Sequence, residues 1–140
     1  MKAIVKTKRG KGLEMRELPL PSPSFDEVLI KVEAVSICGT DLHLEEWDGW
    51  ARGRVKNIPQ IIGHEFCGKV VEIGGSVTRI NPGDYVSSDS HIPCLFCVPC
   101  LRGEYHLCFN LQILGVDRDG CFAEYITIPE RSLWKNNPTL

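Results

Sequence analysis

The chain has 140 residues, of which 43% are hydrophobic and 24% are charged, and its formal net charge is −2. This length and composition are those of one globular domain with its own core. The small negative charge excludes the basic surface that nucleic-acid binding needs, and no apolar run approaches the ~18 residues of a membrane span. Residues 1–6 are charged and too short for the apolar core of a secretory signal peptide. We therefore predict a cytoplasmic protein that binds neither nucleic acid nor membrane.

Short β-forming segments follow one another along the chain, separated by glycine and proline turns. Strands are predicted at residues 3–7, 13–18, 27–35, 66–73, 85–88 and 121–128. No alternation of strands with long helices, the pattern of a parallel sheet, is present. The sequence therefore predicts a mainly antiparallel β-barrel or sandwich.

The segment 27–35 shows the clearest strand periodicity. Apolar and charged residues alternate there, as is typical of a half-buried strand. The expected inward face comprises Val28, Ile30, Val32 and Ala34, and the expected outward face comprises Lys31 and Glu33. Residues 41–47 are the only segment that resembles a helix, with Thr40 or Asp41 as its cap.

Four of the seven cysteines lie within fifteen residues, with the spacing C-x2-C-x2-C-x7-C. Two intervening residues let a tight turn direct neighbouring thiolates at one metal ion. Gly103 gives the chain the freedom to return the last thiol to the same point. We predict a four-thiolate site for structural zinc, in a lobe of about residues 91–110. Its ligands would be Cys94, Cys97, Cys100 and Cys108.

Two other uses of these cysteines are weighed against zinc. Disulfides are disfavoured because seven is an odd number and no secretory signal indicates an oxidising compartment. An iron–sulfur cluster is the stronger rival, since C-x2-C-x2-C also opens the bacterial ferredoxin run. That run places its fourth cysteine about four positions on and follows it with proline. Here Cys108 comes eight positions after Cys100 and Phe109 follows it, which favours zinc.

A second candidate site is divided between two turns at strand ends. Cys38 follows one predicted strand, and His64 and Glu65 precede another. Sulfur, imidazole and carboxylate together form a mixed ligand set suited to catalytic zinc with one position left open. By composition alone the plainer interpretation is favoured, in which Cys38 is a core thiol and the His-Glu pair lies on the surface.

Residues beside these two groups have plainer interpretations. Cys67 and Cys121 lie in predicted strands and are expected to be core thiols. His91 and His106 flank the lobe, but four thiolates already complete a tetrahedral site. A basic run is expected to be solvated surface: Arg52, Arg54 and Lys56.

The order of these motifs resembles that of the zinc-dependent medium-chain dehydrogenases. The resemblance rests on residues 38–43 (CGTDLH), 63–65 (GHE) and 83–84 (GD), followed by the four-cysteine lobe. It covers residues 1–135. Within that superfamily the chain is most similar to the L-threonine 3-dehydrogenase branch, on residues 46–51 and 115–120. Related polyol and alcohol dehydrogenases remain alternatives.

The resemblance implies a GroES-like β-barrel with short helices and an inserted zinc lobe. It implies that Cys38, His64 and Glu65 are ligands of a catalytic zinc and that the four lobe cysteines hold a structural zinc. Asp41 matches a carboxylate that orients the zinc-binding histidine. Thr40 matches the hydroxyl that takes the substrate proton, and His43 matches the next member of a relay to solvent.

The implied reaction is hydride transfer from a zinc-bound secondary alcohol, a small alcohol or amino alcohol, to NAD+. A complete family member also carries a dinucleotide-binding domain, and this chain has no G-x-G-x-x-G after a strand. We therefore expect residues 1–140 to be an incomplete GroES-like catalytic domain that is inactive alone. The expected partners are further copies of the chain, as a homo-oligomer, or a partner cofactor domain. The alternative function is a stand-alone zinc-binding barrel or interaction module without catalysis.

Overall fold

A computed structural model describes residues 1–137. Ten strands lie in this range: β1 (Lys2–Lys6), β2 (Glu14–Glu17), β3 (Glu27–Val35), β4 (Gln60–Ile61), β5 (Phe66–Ile73), β6 (Tyr85–Ser88), β7 (His91–Ile92), β8 (Gln112–Ile113), β9 (Tyr125–Pro129) and β10 (Leu133–Lys135). The α-helices are short: α1 (Gly39–Glu46), α2 (Gly49–Arg54) and α3 (Val98–Leu101), with 3-10 turns at Tyr105–Leu107 and Glu130–Ser132. None of the described helices has the length and apolar character needed to cross a membrane.

The strands form antiparallel sheets, which confirms the predicted mainly antiparallel β architecture. The larger sheet has the order β10-β6-β5-β3-β9, and the smaller has the order β2-β1-β4. Strand β1 also joins the smaller sheet to the segment before β9. The Ile4 N–H donates to the Phe122 carbonyl at 2.8 Å, and the Glu124 N–H donates to the Lys2 carbonyl at 3.1 Å. Strands β7 and β8 pair separately at the base of the cysteine lobe.

The sheets and helices are positioned by three buried clusters, of which the smallest lies on the smaller sheet and consists of Ala3, Val5 and Ile61. The largest cluster lies on the five-stranded sheet and includes Val28, Ile30, Phe66, Val70, Val86, Ile126 and Ile128. The second fixes helices α1 and α2 to the body through Leu44, Trp47, Ala51, Val55, Ile62 and Val116. Burial of apolar area is the main favourable term in such packing. Helix α1, which follows Cys38, is therefore anchored by its apolar face.

Strand β3 has the predicted bounds but not the predicted alternation. Ala34, expected on the inward face, is exposed, and Leu29 is buried between Val28 and Ile30. The pairing of β3 with β5 shifts register after Leu29 and again after Val32. The first shift leaves Val71 of β5 without a partner in β3, and the second leaves Glu33 of β3 without a partner in β5. An extra residue of this kind disrupts the alternation locally, which accounts for the exposed Ala34.

The single predicted helix begins two residues early, and further helices were not predicted. Cys38 is the N-cap of α1, in place of the predicted Thr40 or Asp41, and Asp41 supplies the capping carboxylate from the first turn. The last predicted strand starts at Tyr125 and not at residue 121. Before it, the Cys121 N–H donates to the carbonyl of Gly63 at 3.0 Å. This segment therefore pairs with the loop after β4.

One residue of the predicted basic surface, Arg54, forms an ion pair within the fold. Arg54 donates to Asp117, with Nη1–Oδ1 at 2.6 Å and a second bond alongside. A bidentate arginine–carboxylate pair has a fixed geometry, and it joins the end of α2 to the segment after β8. The expectation that Arg54 is solvated is wrong, whereas Arg52 and Lys56 are exposed.

Three glycines let the loop that carries His64 lie directly against the segment 115–122. Gly63 and Gly115 have positive φ values of 89° and 73°. A Cβ at Gly63 would overlap the Phe122 ring, and one at Gly120 would overlap the carbonyl oxygens of Ile62 and Gly63. Because backbone meets backbone here, no side chain fits between the two segments.

A buried ion pair fastens the start of β3. Glu27 Oε1 accepts from Arg118 Nη2 at 2.6 Å, and Glu27 Oε2 accepts from the Ser24 N–H at 3.1 Å. Burial alone would raise the pKa of Glu27, but the bonds from Arg118 and Ser24 bring it below its ordinary value of 4.5. The ionised form of Glu27 is therefore favoured by folding.

Replacing Gly120 by alanine should loosen the His64 loop. The added methyl meets backbone carbonyls that cannot move aside independently, so we expect Gly120→Ala to lower the free energy of unfolding by about 1–3 kcal/mol. Gly53→Ala is the matched control, because a Cβ there meets nothing within 4 Å. Urea unfolding of both variants measures the effect. Equal stability of Gly120→Ala and Gly53→Ala would contradict the close approach.

The Glu27–Arg118 pair predicts a pH-dependent stability. A carboxyl with a lowered folded pKa stabilises the fold above its unfolded pKa, and that contribution is lost as pH falls through the folded value. We expect wild type to exceed Glu27→Gln by about 1–3 kcal/mol at neutral pH and the difference to shrink below pH 4.5. Urea unfolding across a pH series gives this difference. Acid effects on the cysteines are common to both proteins and cancel, so a difference that stays constant into acid would refute the assignment.

Candidate metal centres

The four lobe cysteines converge on one point. Their Sγ atoms all lie within 4.8 Å of one another, and the Cys97 and Cys108 sulfurs are 3.9 Å apart. A tetrahedral ion with ligands at about 2.3 Å requires sulfurs about 3.8 Å apart. The backbone achieves this through positive φ at Leu95 and Gly103, 67° and 79°. The arrangement is of the size that a four-thiolate metal site needs.

The thiols of the lobe differ in their tendency to ionise. Burial opposes ionisation of Cys94, but the N–H groups of Phe96 and Cys97 lower its pKa to about 6. Burial and the neighbouring Cys97 thiol raise the pKa of Cys100 to about 12. Four thiolates so close together repel one another, so a divalent cation is required for all four to be ionised. All seven cysteines are free thiols.

The second group comes from two loops. Cys38 lies between β3 and α1, and His64 and Glu65 lie between β4 and β5; their ligand atoms are within 4.8 Å of one another. His64 is buried, Cys38 is half-buried and Glu65 is exposed. The group therefore opens to solvent on the Glu65 side, as a site that admits a substrate must.

Asp41 lies behind this group. Its Oδ2 accepts from the Cys38 N–H at 2.9 Å, and its Oδ1 lies 3.7 Å from His64 Nδ1. Both Asp41 Oδ1 and His64 Nδ1 are buried, and among residues 1–137 neither has a hydrogen-bond partner. With Nδ1 facing Asp41, the Nε2 atom of His64 remains free to bind a cation. Sulfur, imidazole and carboxylate together fit zinc.

Thr40 and His43 lie on the solvent side of helix α1. Thr40 Oγ1 is 3.9 Å from Cys38 Sγ. His43 is half-exposed, and its Nδ1 is 2.6 Å from Asp48 Oδ2. The pKa of Asp48 lies below its usual range. The main cause is the hydrogen bond that its Oδ1 accepts from the Ala51 N–H, and the second is its bond with His43. Asp48 therefore stays ionised and fixes the His43 ring at the edge of the group.

Two residues that hold these side chains were not predicted. Asp48 orients His43. Asp48 is also the N-cap of α2, and an aspartate at such a position is a sequence signal for the start of a helix. Ser36 donates its hydroxyl to Glu65 Oε2 and its N–H to the Glu65 carbonyl at 3.1 Å. Nothing in the sequence links Ser36 to a residue 29 positions later.

Other cysteines and histidines lie outside both groups. Cys121 is buried, its thiol points at the Glu65 carbonyl at 3.6 Å, and burial raises its pKa to about 12. Cys67 is half-buried in β5. His91 and His106 are exposed and belong to neither group among the described residues. The candidate chemistry is thus confined to the two predicted groups.

Known proteins resemble the chain in sequence and structure. The sequence model of one protein family, the alcohol dehydrogenase GroES-like domain, matches residues 24–138. The L-threonine 3-dehydrogenases of Pyrococcus horikoshii and Bacillus velezensis are 57% and 54% identical over 136 residues, 97% of this chain and 39% of each of those proteins. A solved structure described as a zinc-binding dehydrogenase, from Sinorhizobium meliloti and bound to NADP, superposes with a TM-score of 0.88. It is 40% identical, and the match covers 99% of this chain and 39% of that one.

The galactitol-1-phosphate dehydrogenase of Escherichia coli has the same fold, with a TM-score of 0.87 at 30% identity over 99% of this chain and 38% of its own. The chain thus spans about 39% of the length of the curated relatives it matches. The family model covers most of the chain, and the predicted GroES-like fold is confirmed. The chain belongs to the alcohol dehydrogenase GroES-like domain family.

Proposed function

We propose that the chain is the metal-binding part of a zinc-dependent, NAD-linked alcohol dehydrogenase of the L-threonine 3-dehydrogenase type. The observation that carries the proposal is the convergence of Cys38, His64 and Glu65, with ligand atoms within 4.8 Å, at the exposed edge of the fold. Relatives above 50% identity carry that enzyme's name. In this proposal residues 1–140 are an incomplete catalytic domain with a zinc lobe at about 91–110.

The nicotinamide cofactor would be bound by a dinucleotide-binding domain outside these residues, on the same or a partner chain. The coverage of 39% of each relative supports this division. The substrate would be a small alcohol or amino alcohol. A reducing compartment, the cytoplasm, is part of the proposal because both groups need free thiols.

Within the site, each residue would have one task. Zinc held by Cys38, His64 and Glu65 would serve as a Lewis acid toward an alcohol oxygen. Asp41 would hold the His64 ring through Nδ1 and so fix its tautomer.

Thr40 would take the proton of the alcohol and pass it toward His43. The half-exposed ring of His43, held by Asp48 at 2.6 Å, would release the proton to water.

The lobe cysteines would hold a second zinc in a purely structural role. Four thiolates fill the tetrahedral positions and leave none for a substrate. Cys94, Cys97, Cys100 and Cys108 therefore stabilise the lobe and take no part in the reaction.

The two metal groups predict separable losses of zinc. We expect about two zinc ions per chain after equilibration with zinc, with Cys97→Ala and His64→Ala each removing about one. Cys67→Ala is the matched control, since Cys67 belongs to neither group and should leave the count unchanged. Elemental analysis of gel-filtered protein measures the content. Iron in place of zinc, or a full zinc count in Cys97→Ala, would reject the assignment.

The proposed function predicts that the chain is active only together with a dinucleotide-binding domain. We expect no NAD-linked oxidation of L-threonine by the 140-residue chain, and turnover once it is fused to the remaining residues of the Bacillus velezensis relative. In that fusion His43→Ala should lower kcat by about 10²–10⁴-fold, whereas exposed His91→Ala should leave it unchanged. Spectrophotometric NADH formation is the readout. Turnover by the chain alone, or a zinc-loaded fusion with no activity, would count against the proposal.

A further inference from the structure

The ends of strands β3 and β5 bring a serine hydroxyl beside the candidate catalytic zinc site. Val35 of β3 pairs with Phe66 of β5, and the next residues beyond that pair are Ser36 and Glu65. The Ser36 N–H donates to the Glu65 carbonyl at 3.1 Å, so the antiparallel ladder continues one step beyond the strands. Residues opposite each other in such a ladder have neighbouring side chains on one face. The register of the sheet thus places the Ser36 hydroxyl next to the Glu65 carboxylate.

The three candidate ligands of this site are not held equally well. His64 is buried, and the carboxylate of Asp41 faces its ring. Cys38 has a short, half-buried side chain at the start of α1. Glu65 is exposed and has more rotatable bonds than either, so its side chain loses the most conformational freedom when it binds a cation. Any contact that orders Glu65 beforehand therefore favours metal binding.

Ser36 supplies that contact. The backbone of Glu65 is already fixed, because its carbonyl accepts from the Ser36 N–H at 3.1 Å and from the Cys121 thiol at 3.6 Å. Within residues 1–137, the side-chain carboxylate of Glu65 has one hydrogen-bond partner, the Ser36 hydroxyl, which donates to Oε2. A carboxylate has two oxygens with several lone pairs, so it can accept from a serine and bind a cation at once.

The same conformation brings the carboxylate to the other ligands. While Oε2 of Glu65 accepts from Ser36, a carboxylate oxygen of Glu65 lies within 4.8 Å of the ligand atoms of Cys38 and His64. Hydrogen-bond partners of this kind orient metal-binding side chains, and their loss typically lowers metal affinity about 10–100-fold. Asp41 is such a partner for His64, and Ser36 has the corresponding position behind Glu65.

We propose that Ser36 is a positioning residue of the candidate catalytic zinc site, which raises the zinc affinity of that site by holding the Glu65 carboxylate toward Cys38 and His64. The inference rests on the metal site of the proposed function, and not on the reaction or its substrate. A hydrogen bond that only joined the ends of β3 and β5 would affect unfolding and leave the zinc affinity unchanged.

Equilibrium dialysis of the 140-residue chain against zinc buffered at a series of free concentrations tests this role. Elemental analysis gives the zinc content per chain. We expect two steps, because the four-thiolate lobe supplies a complete tetrahedral site and the mixed group supplies three ligands. Ser36→Ala should move the second step to about 10–100-fold higher free zinc and leave the first step in place.

Three further variants identify the step and the group responsible. His64→Ala should abolish the second step, which assigns that step to the mixed group. Ser36→Thr keeps a hydroxyl and should recover most of the affinity that Ser36→Ala loses. Ser76→Ala is the matched control: it removes another exposed serine hydroxyl, bonded to the Phe25 carbonyl at 2.9 Å, and should move neither step.

The outcomes separate the role of Ser36 from the zinc site itself. A second step that Ser36→Ala leaves in place would overturn the role of Ser36 and retain the zinc site. Equal shifts of both steps would indicate a general loss of stability and would overturn the role as well. A wild-type chain without a second step, or a second step that survives His64→Ala, would overturn the proposed catalytic zinc site and the role of Ser36 together.

Discussion

One carboxylate, Asp41, connects the local fold to the candidate catalytic group. One of its oxygens accepts from the N–H of Cys38 and so starts helix α1, and the other faces His64 Nδ1 from 3.7 Å. Asp41 is 3% exposed, and a buried carboxylate is costly unless it is paired. The cost is offset most fully when His64 carries its proton on Nδ1 and binds a cation through Nε2. Helix start, histidine orientation and metal affinity thus depend on one side chain.

The position of His64 depends in turn on contacts between backbones. Gly63, Gly115 and Gly120 allow the His64 loop to lie against the segment that precedes β9, where a Cβ would overlap either backbone atoms or the Phe122 ring. Residues 121 and 122 then hydrogen-bond to the carbonyls of Gly63 and Ile62 at 3.0 and 2.9 Å. The loop gains regular backbone bonding without belonging to a strand. A ligand loop fixed in this way is preorganised, because few conformations remain open to it when a metal binds.

The accuracy of the sequence-based predictions varied with the range of the interactions involved. Local patterns gave the bounds of β3, β5 and β6 and grouped the lobe cysteines, since spacing and periodicity are properties of adjacent residues. The register shifts between β3 and β5 could not be predicted, because they arise from the pairing of two distant segments. Two further contacts also join distant segments and could not be predicted: the Ser36–Glu65 hydrogen bond and the Arg54–Asp117 ion pair. The group of Cys38, His64 and Glu65 was predicted through family resemblance, because its two loops are 26 residues apart.

The lobe differs from the body in what occupies its interior. Its backbone hydrogen bonds are local, such as Leu101 N–H to the Cys97 carbonyl and Cys108 N–H to the Tyr105 carbonyl, and its base is the short β7–β8 pair. Four sulfur atoms fill the centre that apolar side chains fill elsewhere. The leucines and phenylalanines of the lobe are therefore turned outward. Folding gains nothing from exposed apolar side chains, so the stability of the lobe depends on its four sulfur atoms and on the cation that they would bind.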